Sequence, residues 1–92
     1  MARKEDHHII EGLRSGRESA YQQLFERFYR KLVVFAMKYI GDLEVARDLV
    51  QDLFLSIYES RRSISIQTSL KSYLYSAVKN RCLNHIRHQA VR

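Results

Sequence analysis

From Glu18 to about Ile40 the chain holds neither proline nor glycine, and apolar residues fall at Tyr21, Leu24, Phe25, Phe28, Leu32, Phe35, Ala36 and Tyr39. Steps of three and four draw one continuous stripe on a helix of about 3.6 residues per turn. A strand would alternate instead. Arg27, Arg30, Lys31 and Lys38 fall on or near the other side, so the aromatics are expected in a core rather than around a cofactor. The chain has 92 residues, enough for a single core. Proline is absent altogether and glycine stands only at 12, 16 and 41, while 46% of residues are apolar. Long helices satisfy that composition better than a turn-rich β fold. The expected fold is all-α, a compact bundle of three main helices plus a short N-terminal one.

The other elements follow from local signals. Residues 5–14, EDHHIIEGLR, suit a short helix ending near Gly16. Gly41 is placed to end the long helix in the left-handed conformation. Asp42 is a good cap for a third helix over about 43–60, whose Ala46, Leu49, Val50, Leu53, Phe54 and Ile57 point one way. Its opposite face gathers Asp48, Gln51, Asp52, Leu55 and Glu59, with Tyr58 beside them. Leu55 sits in the middle of that polar face. An apolar side chain ringed by polar groups has the anatomy of a small protein-docking site. Residues 61–69, RRSISIQTS, break the helical period and read as a polar loop carrying two apolar teeth, Ile64 and Ile66. Thr68 or Ser69 can cap a last helix from about Leu70 to His88.

Charge divides along the chain. Residues 42–59 carry five carboxylates against Arg47 alone, whereas 60–92 carry Arg61, Arg62, Lys71, Lys79, Arg81, Arg87 and Arg92 with no acid. Adjacent segments of opposite sign suggest two different partners. Several classes are excluded or disfavoured. No apolar run is long enough to span a membrane, and MARKEDHH lacks the apolar core of an export signal. The one cysteine, Cys82, cannot form an internal disulfide, which agrees with a reducing, cytoplasmic setting. No phosphate loop or hydrolase motif is present, so an enzyme is not expected. His7 and His8 have no third ligand nearby, and Cys82, His85 and His88 spread around a helix rather than converging on a metal. No cofactor is implied.

The last helix sorts into faces at about 100° per residue. Leu70, Leu74, Ala77, Val78 and Cys82 form its core stripe, and Arg81 falls inside that stripe, where it is expected to pair with an acid. Ser72, Ser76, Lys79, Asn80, Asn84 and Arg87 fall opposite, with Tyr73 at the edge. Asparagine is a poor mid-helix residue, but its planar amide donates and accepts together, as base reading requires. Lys79 and Arg87 can neutralise phosphates. Tyr73 and Tyr75 are candidates to stack on an unpaired base.

Two runs carry a family resemblance: Gly41 to Phe54, with G-D-x-x-x-A-x-D-L-V-Q-D-x-F, and Y-L-Y-x-x-x-x-N from Tyr73 to Asn80. Over roughly residues 18–89 the chain resembles region 2 of bacterial RNA polymerase sigma factors, closest to the small extracytoplasmic-function (ECF) type. The resemblance implies that Asp48, Gln51, Asp52, Leu55 and Tyr58 dock on the clamp helices of the polymerase β′ subunit. It implies that the last helix and the preceding loop recognise and melt the promoter −10 element and hold its non-template strand. Lys71, Tyr73, Tyr75, Ser76, Lys79, Asn80, Asn84 and Arg87 would serve that role on the helix. The loop around Ile64 to Thr68, with Ile64, Ser65 and Ile66 as its contact residues, would receive a flipped base, with the two isoleucines as the wedge because the loop has no aromatic. Tyr73 stands where a tryptophan is common in the family. An anti-sigma factor is a further implied partner. Factors of this type also carry a C-terminal helix-turn-helix domain for the −35 element. This chain stops at QAVR, so it is expected to be an isolated or truncated domain.

Two rival functions remain open on the sequence. A domain reading duplex DNA in the major groove would need a tight turn between two short helices and has no use for Leu55 and its acids. A protein-protein adaptor bundle would tolerate loss of Lys79 and Asn80 in any nucleic-acid assay.

Overall fold

The computed structural model describes residues 4–91; Arg92 lies outside them. Four helices follow in order: α1 (Lys4–Arg14), α2 (Glu18–Ile40), α3 (Leu43–Glu59) and α4 (Leu70–Val91). α2 is the central element and packs against each of the other three, and α3 also packs on α4. The all-α bundle of three main helices and a short N-terminal one is the architecture expected.

The helix boundaries have local causes. Gly41 adopts φ 73°, and its N–H donates to the Met37 carbonyl. Asp42 then caps α3, its carboxylate accepting from the N–H groups of Glu44 (3.0 Å) and Val45 (3.3 Å). Glycine and aspartate together reverse the chain in two residues, because one tolerates the left-handed conformation and the other satisfies orphan helix donors. Nothing lies within 4 Å of a Cβ built at Gly41. Gly41→Ala should therefore cost about 1–2 kcal/mol through backbone strain alone, a loss readable by urea denaturation. α4 runs past the expected His88 to Val91. Gln89, Ala90 and Val91 offer no stop signal of the glycine or proline kind.

The core is drawn from all four helices. Leu13, Leu24, Leu32, Ala36, Ala46, Val50, Leu74, Val78 and Cys82 are fully buried, and Phe54 and Ile57 nearly so. Each large aliphatic or aromatic side chain taken fully from water contributes about 1.5–3 kcal/mol. α1 is part of this core, not an appendage, since Ile9, Ile10 and Leu13 are buried in it. Its close approach to α2 needs Gly12, where a Cβ would meet the Cβ of Ala20 at 2.5 Å. Phe25 departs from its expected place in the core: 37% of it is exposed. It lies at the margin of the α2 stripe, beside the polar face of α3. Leu49 is only half-buried and packs against the core from outside. No helix among the described residues is long and apolar enough to cross a membrane.

Candidate functional site

The polar face of α3 is built as the helical period dictates. Ala46, Val50, Leu53, Phe54 and Ile57 turn inward, which turns Asp48, Gln51, Asp52 and Leu55 out into solvent. Leu55 is 55% exposed, large for a leucine in a helix whose other face is fully packed. Tyr58 is half-buried: its hydroxyl donates to Glu18 at 2.9 Å, and its ring meets Tyr21 edge-on at 5.0 Å. Arg61 lies 4.0 Å above that ring, and its guanidinium donates at 2.6 Å to the Tyr58 carbonyl, which also accepts the Arg61 backbone N–H at 3.4 Å at the end of α3. Tyr21 donates to the Phe54 carbonyl at 3.1 Å. Its phenol is pushed above the ordinary range by burial first, then by Tyr58 and Glu18 nearby, so it stays a donor.

The face extends further than the sequence suggested. Gln51 donates to the Tyr29 hydroxyl at 3.2 Å, and Tyr29 stacks on Phe25 at 4.6 Å between ring centres. Phe25 in turn meets Phe54 edge-on at 5.1 Å. An apolar shelf from α2 thus adjoins the acidic face of α3. The α2 stripe concealed it, because a periodic stripe gives no indication of where its margin emerges.

On α4, Leu74, Val78 and Cys82 are fully buried, which leaves Ser72, Ser76, Lys79, Asn80, Asn84 and Arg87 exposed. The candidate residues divide into two stripes. Tyr73, Ser76, Asn80, Asn84 and Arg87 succeed one another by three or four and share one flank; Lys71, Tyr75 and Lys79 do the same on another. The two tyrosines, two residues apart, point about 200° away from each other. Tyr75 leans toward α2, edge-on to Phe35 at 4.8 Å, with the Lys71 ammonium 6.0 Å above its ring. Only Tyr73 shares the flank of the asparagines. Arg87 donates to the Asn84 carbonyl oxygen, whereas nothing hydrogen-bonds the Asn80 amide among the described residues.

The loop from Arg61 to Ser69 corrects one expectation. Ile64 is 6% exposed and belongs to the core, so it is no wedge in this conformation; Ile66 is half-buried against the same core. Ser65, Gln67 and Thr68 are exposed, and Gln67 donates to the Ser65 hydroxyl at 3.1 Å. The alternation of Ile64 and Ile66 with polar residues was visible, but alternation alone does not fix which tooth turns inward. Ser69 is the cap of α4: its hydroxyl accepts from the Ser72 N–H at 3.1 Å.

Two residues holding this loop were not anticipated. Asp6, 3% exposed, accepts from the Leu70 N–H at 3.2 Å and lies 3.6 Å from the Arg27 guanidinium. Arg14 donates through Nε to the Ile64 carbonyl at 2.9 Å. α1 therefore grips the loop in its middle and at its junction with α4.

The match to known proteins comes on this geometry. Residues 24–92 match the family model described as sigma-70 region 2. The chain belongs to the sigma-70 region 2 family. Its relatives include the RNA polymerase sigma-H factor of Pseudomonas aeruginosa, 20% identical over 94% of this chain and 45% of that protein. The ECF RNA polymerase sigma factor SigM of Mycobacterium tuberculosis is 33% identical over 79% of this chain and 37% of its own. The RNA polymerase sigma factor CarQ of Myxococcus xanthus is 29% identical over 87% and 46%. The chain thus spans less than half the length of these curated relatives. No solved structure matches it. Within the sigma-70 region 2 segment lie both α4 stripes, the acidic α3 face and the Phe25 shelf. Asp6 and Arg14 precede it.

The remaining candidates are structural. Arg81 is half-buried, but no carboxylate pairs with it among the described residues, contrary to expectation. Its own helix, α4, carries no acid. Cys82 is buried, and burial pushes its thiol upward, away from the reactive thiolate. Among the described residues no group of three or more His, Cys, Asp or Glu is placed to hold a metal.

Proposed function

We propose that this domain of the sigma-70 region 2 family serves transcription initiation by binding core RNA polymerase and capturing the melted −10 element of a promoter. The observation that carries the reading is the separation of two chemically opposite faces on one rigid bundle. Leu55 stands exposed among carboxylates on α3, and the open Asn80 amide stands among cations on α4. In this reading Asp48, Gln51, Asp52, Leu55 and Tyr58 dock on the β′ clamp helices. Basic side chains of the clamp meet Asp48 and Asp52, and Leu55 supplies apolar contact. The domain is not an enzyme; it lends the polymerase specificity, in the cytoplasm where the polymerase works.

On α4, Asn80 and Asn84 read edges of unpaired non-template bases, Tyr73 stacks on one, and Lys79 and Arg87 neutralise phosphates. Asn84 must exchange its Arg87 contact for a base, which leaves Asn80 as the readier reader. The loop receives a flipped base at a rim of Ser65, Ile66, Gln67 and Thr68, with Ile64 supporting the rim from the core. Capture of the extruded base offsets part of the cost of unpairing, so melting needs no ATP.

Asn80→Ala should lower affinity for a single-stranded −10 oligonucleotide, measured with core polymerase present, by roughly 5- to 150-fold. That is the worth of one good base contact, about 1–3 kcal/mol. It should also flatten the preference at one base position. An unchanged ranking of all single-base variants of the oligonucleotide would remove Asn80 from the reading surface.

A further inference from the structure

The middle of the loop between α3 and α4 has no scaffold of its own. Among the described residues, no backbone–backbone hydrogen bond involves residues 64–68. A segment of this kind keeps one shape only if groups outside it fix its main chain. Burial of Ile64 anchors one side chain, but a buried side chain alone does not set the direction of the next peptide.

The fixing groups come from α1 and the turn after it, and they meet the loop in order. At its start, the Arg62 guanidinium rests on Gly16, whose φ is 77°; a Cβ built there would come within 2.7 Å of Arg62 Nη2. In its middle, Arg14 Nε donates to the Ile64 carbonyl, the oxygen of the peptide that leads into Ser65. At its end, Asp6 accepts from the Leu70 N–H. Residues 6, 14 and 16 precede the family-matched segment, which begins at residue 24, whereas their partners at 62, 64 and 70 lie inside it. Of these ties, that of Arg14 bears most directly on the rim. It holds the peptide plane from which Ser65 and Ile66 project.

We infer that Arg14 is a positioning residue for base capture. By holding the Ile64 carbonyl, it keeps the rim of Ser65, Ile66, Gln67 and Thr68 in one conformation before a strand arrives. A receptacle formed in advance avoids the ordering cost that a loose loop meets on binding. Arg14 itself touches neither base nor phosphate. The inference rests on the promoter reading above, and it assigns part of that function to a helix outside the family-matched segment.

The test takes the single-stranded −10 oligonucleotide, with core polymerase present, and makes one nucleotide at a time abasic. In the wild type, affinity should fall at the position read by Asn80 and at the position received by the loop. Asn80→Ala should erase the first fall and keep the second. Arg14→Ala should weaken binding of the intact oligonucleotide by roughly 2- to 12-fold, the contribution of one net hydrogen bond. It should shrink the second fall by the same factor and keep the first. Arg14 is exposed and makes no ion pair among the described residues, so the thermal melt and core capture should stay at the wild-type level. Arg14→Gln restores a donor without the charge, because the Gln Nε2 stands as many bonds along the side chain as the Arg Nε. It should recover the second fall, and every Arg14 variant should keep the wild-type dependence of log K on log salt. Recovery by Arg14→Lys but not by Arg14→Gln, with a slope lower by about 0.7, would make Arg14 a phosphate contact and overturn the positioning role. A second fall that persists in full in Arg14→Ala overturns it as well, while leaving the promoter reading in place. Absence of both falls in the wild type overturns the promoter reading and this inference together.

Discussion

Asp52→Lys combined with Leu55→Arg should abolish capture of core RNA polymerase by the purified domain, while its helical signal and melting temperature stay within error of the wild type. Both side chains are exposed and neither makes a hydrogen bond or ion pair among the described residues, so the fold loses nothing. The interface loses much. Burial of a leucine is worth about 1.5–3 kcal/mol, and like charges forced together across an interface cost several kcal/mol. Together they predict an affinity loss of at least roughly 100-fold, beyond the reach of a pull-down. Retention of core polymerase at the wild-type level would sink the docking claim. Phe25→Ala extends the test to the α2 shelf. If the shelf joins the docking surface, that single change weakens capture even though the α3 face is intact.

The residues in that experiment also show what a sequence of this kind discloses. The exposure of Leu55 followed from period alone, because five inward positions on α3 fix the outward ones. Gly41 and Asp42 were equally legible, since a left-handed glycine and a capping aspartate act within a few residues of themselves. Legibility failed where the deciding partner lies far along the chain. Asp6 looked like an ordinary acid in a first helical turn, yet its acceptor role is satisfied by Leu70 and Arg27. Arg14 finds its acceptor at Ile64. Phe25 and Ile64 failed for another reason. Each lies at a margin between packed and open surface, and which way it turns is settled by the neighbouring helix, not by its own spacing. The asparagine helix was sorted correctly into inner and outer faces, but its outer face proved to be two stripes. That division turns Tyr75 toward Phe35 on α2 and leaves Tyr73 on the flank of the asparagines.

Asp6→Ala should be the most destabilising of the polar substitutions in this chain, because it strips two partners at once. The Leu70 N–H would be left buried without an acceptor, a loss of about 1–3 kcal/mol. Arg27 would lose its buried partner as well. It keeps Glu5 at 3.7 Å, but that carboxylate is 77% exposed, and a solvent-screened pair contributes little. A total of about 2–4 kcal/mol is expected, or a melting-temperature fall on the order of 10–20 °C for a domain of this size. Asp6→Asn separates the two effects: its amide oxygen can still accept from Leu70, while the charge facing Arg27 is gone, so it should recover about half of the loss. Denaturation of the three proteins in urea measures the differences directly. A cost below about 0.5 kcal/mol for Asp6→Ala would mean that the carboxylate is incidental to α4. The expected result carries a functional consequence. Asp6 fixes the first turn of α4, and Arg14 fixes the loop before it, from a helix that precedes the family-matched segment. Amide exchange should therefore accelerate first at Leu70 to Tyr73 in Asp6→Ala. Both Tyr73 and the loop rim would lose their set position before the bundle as a whole unfolds.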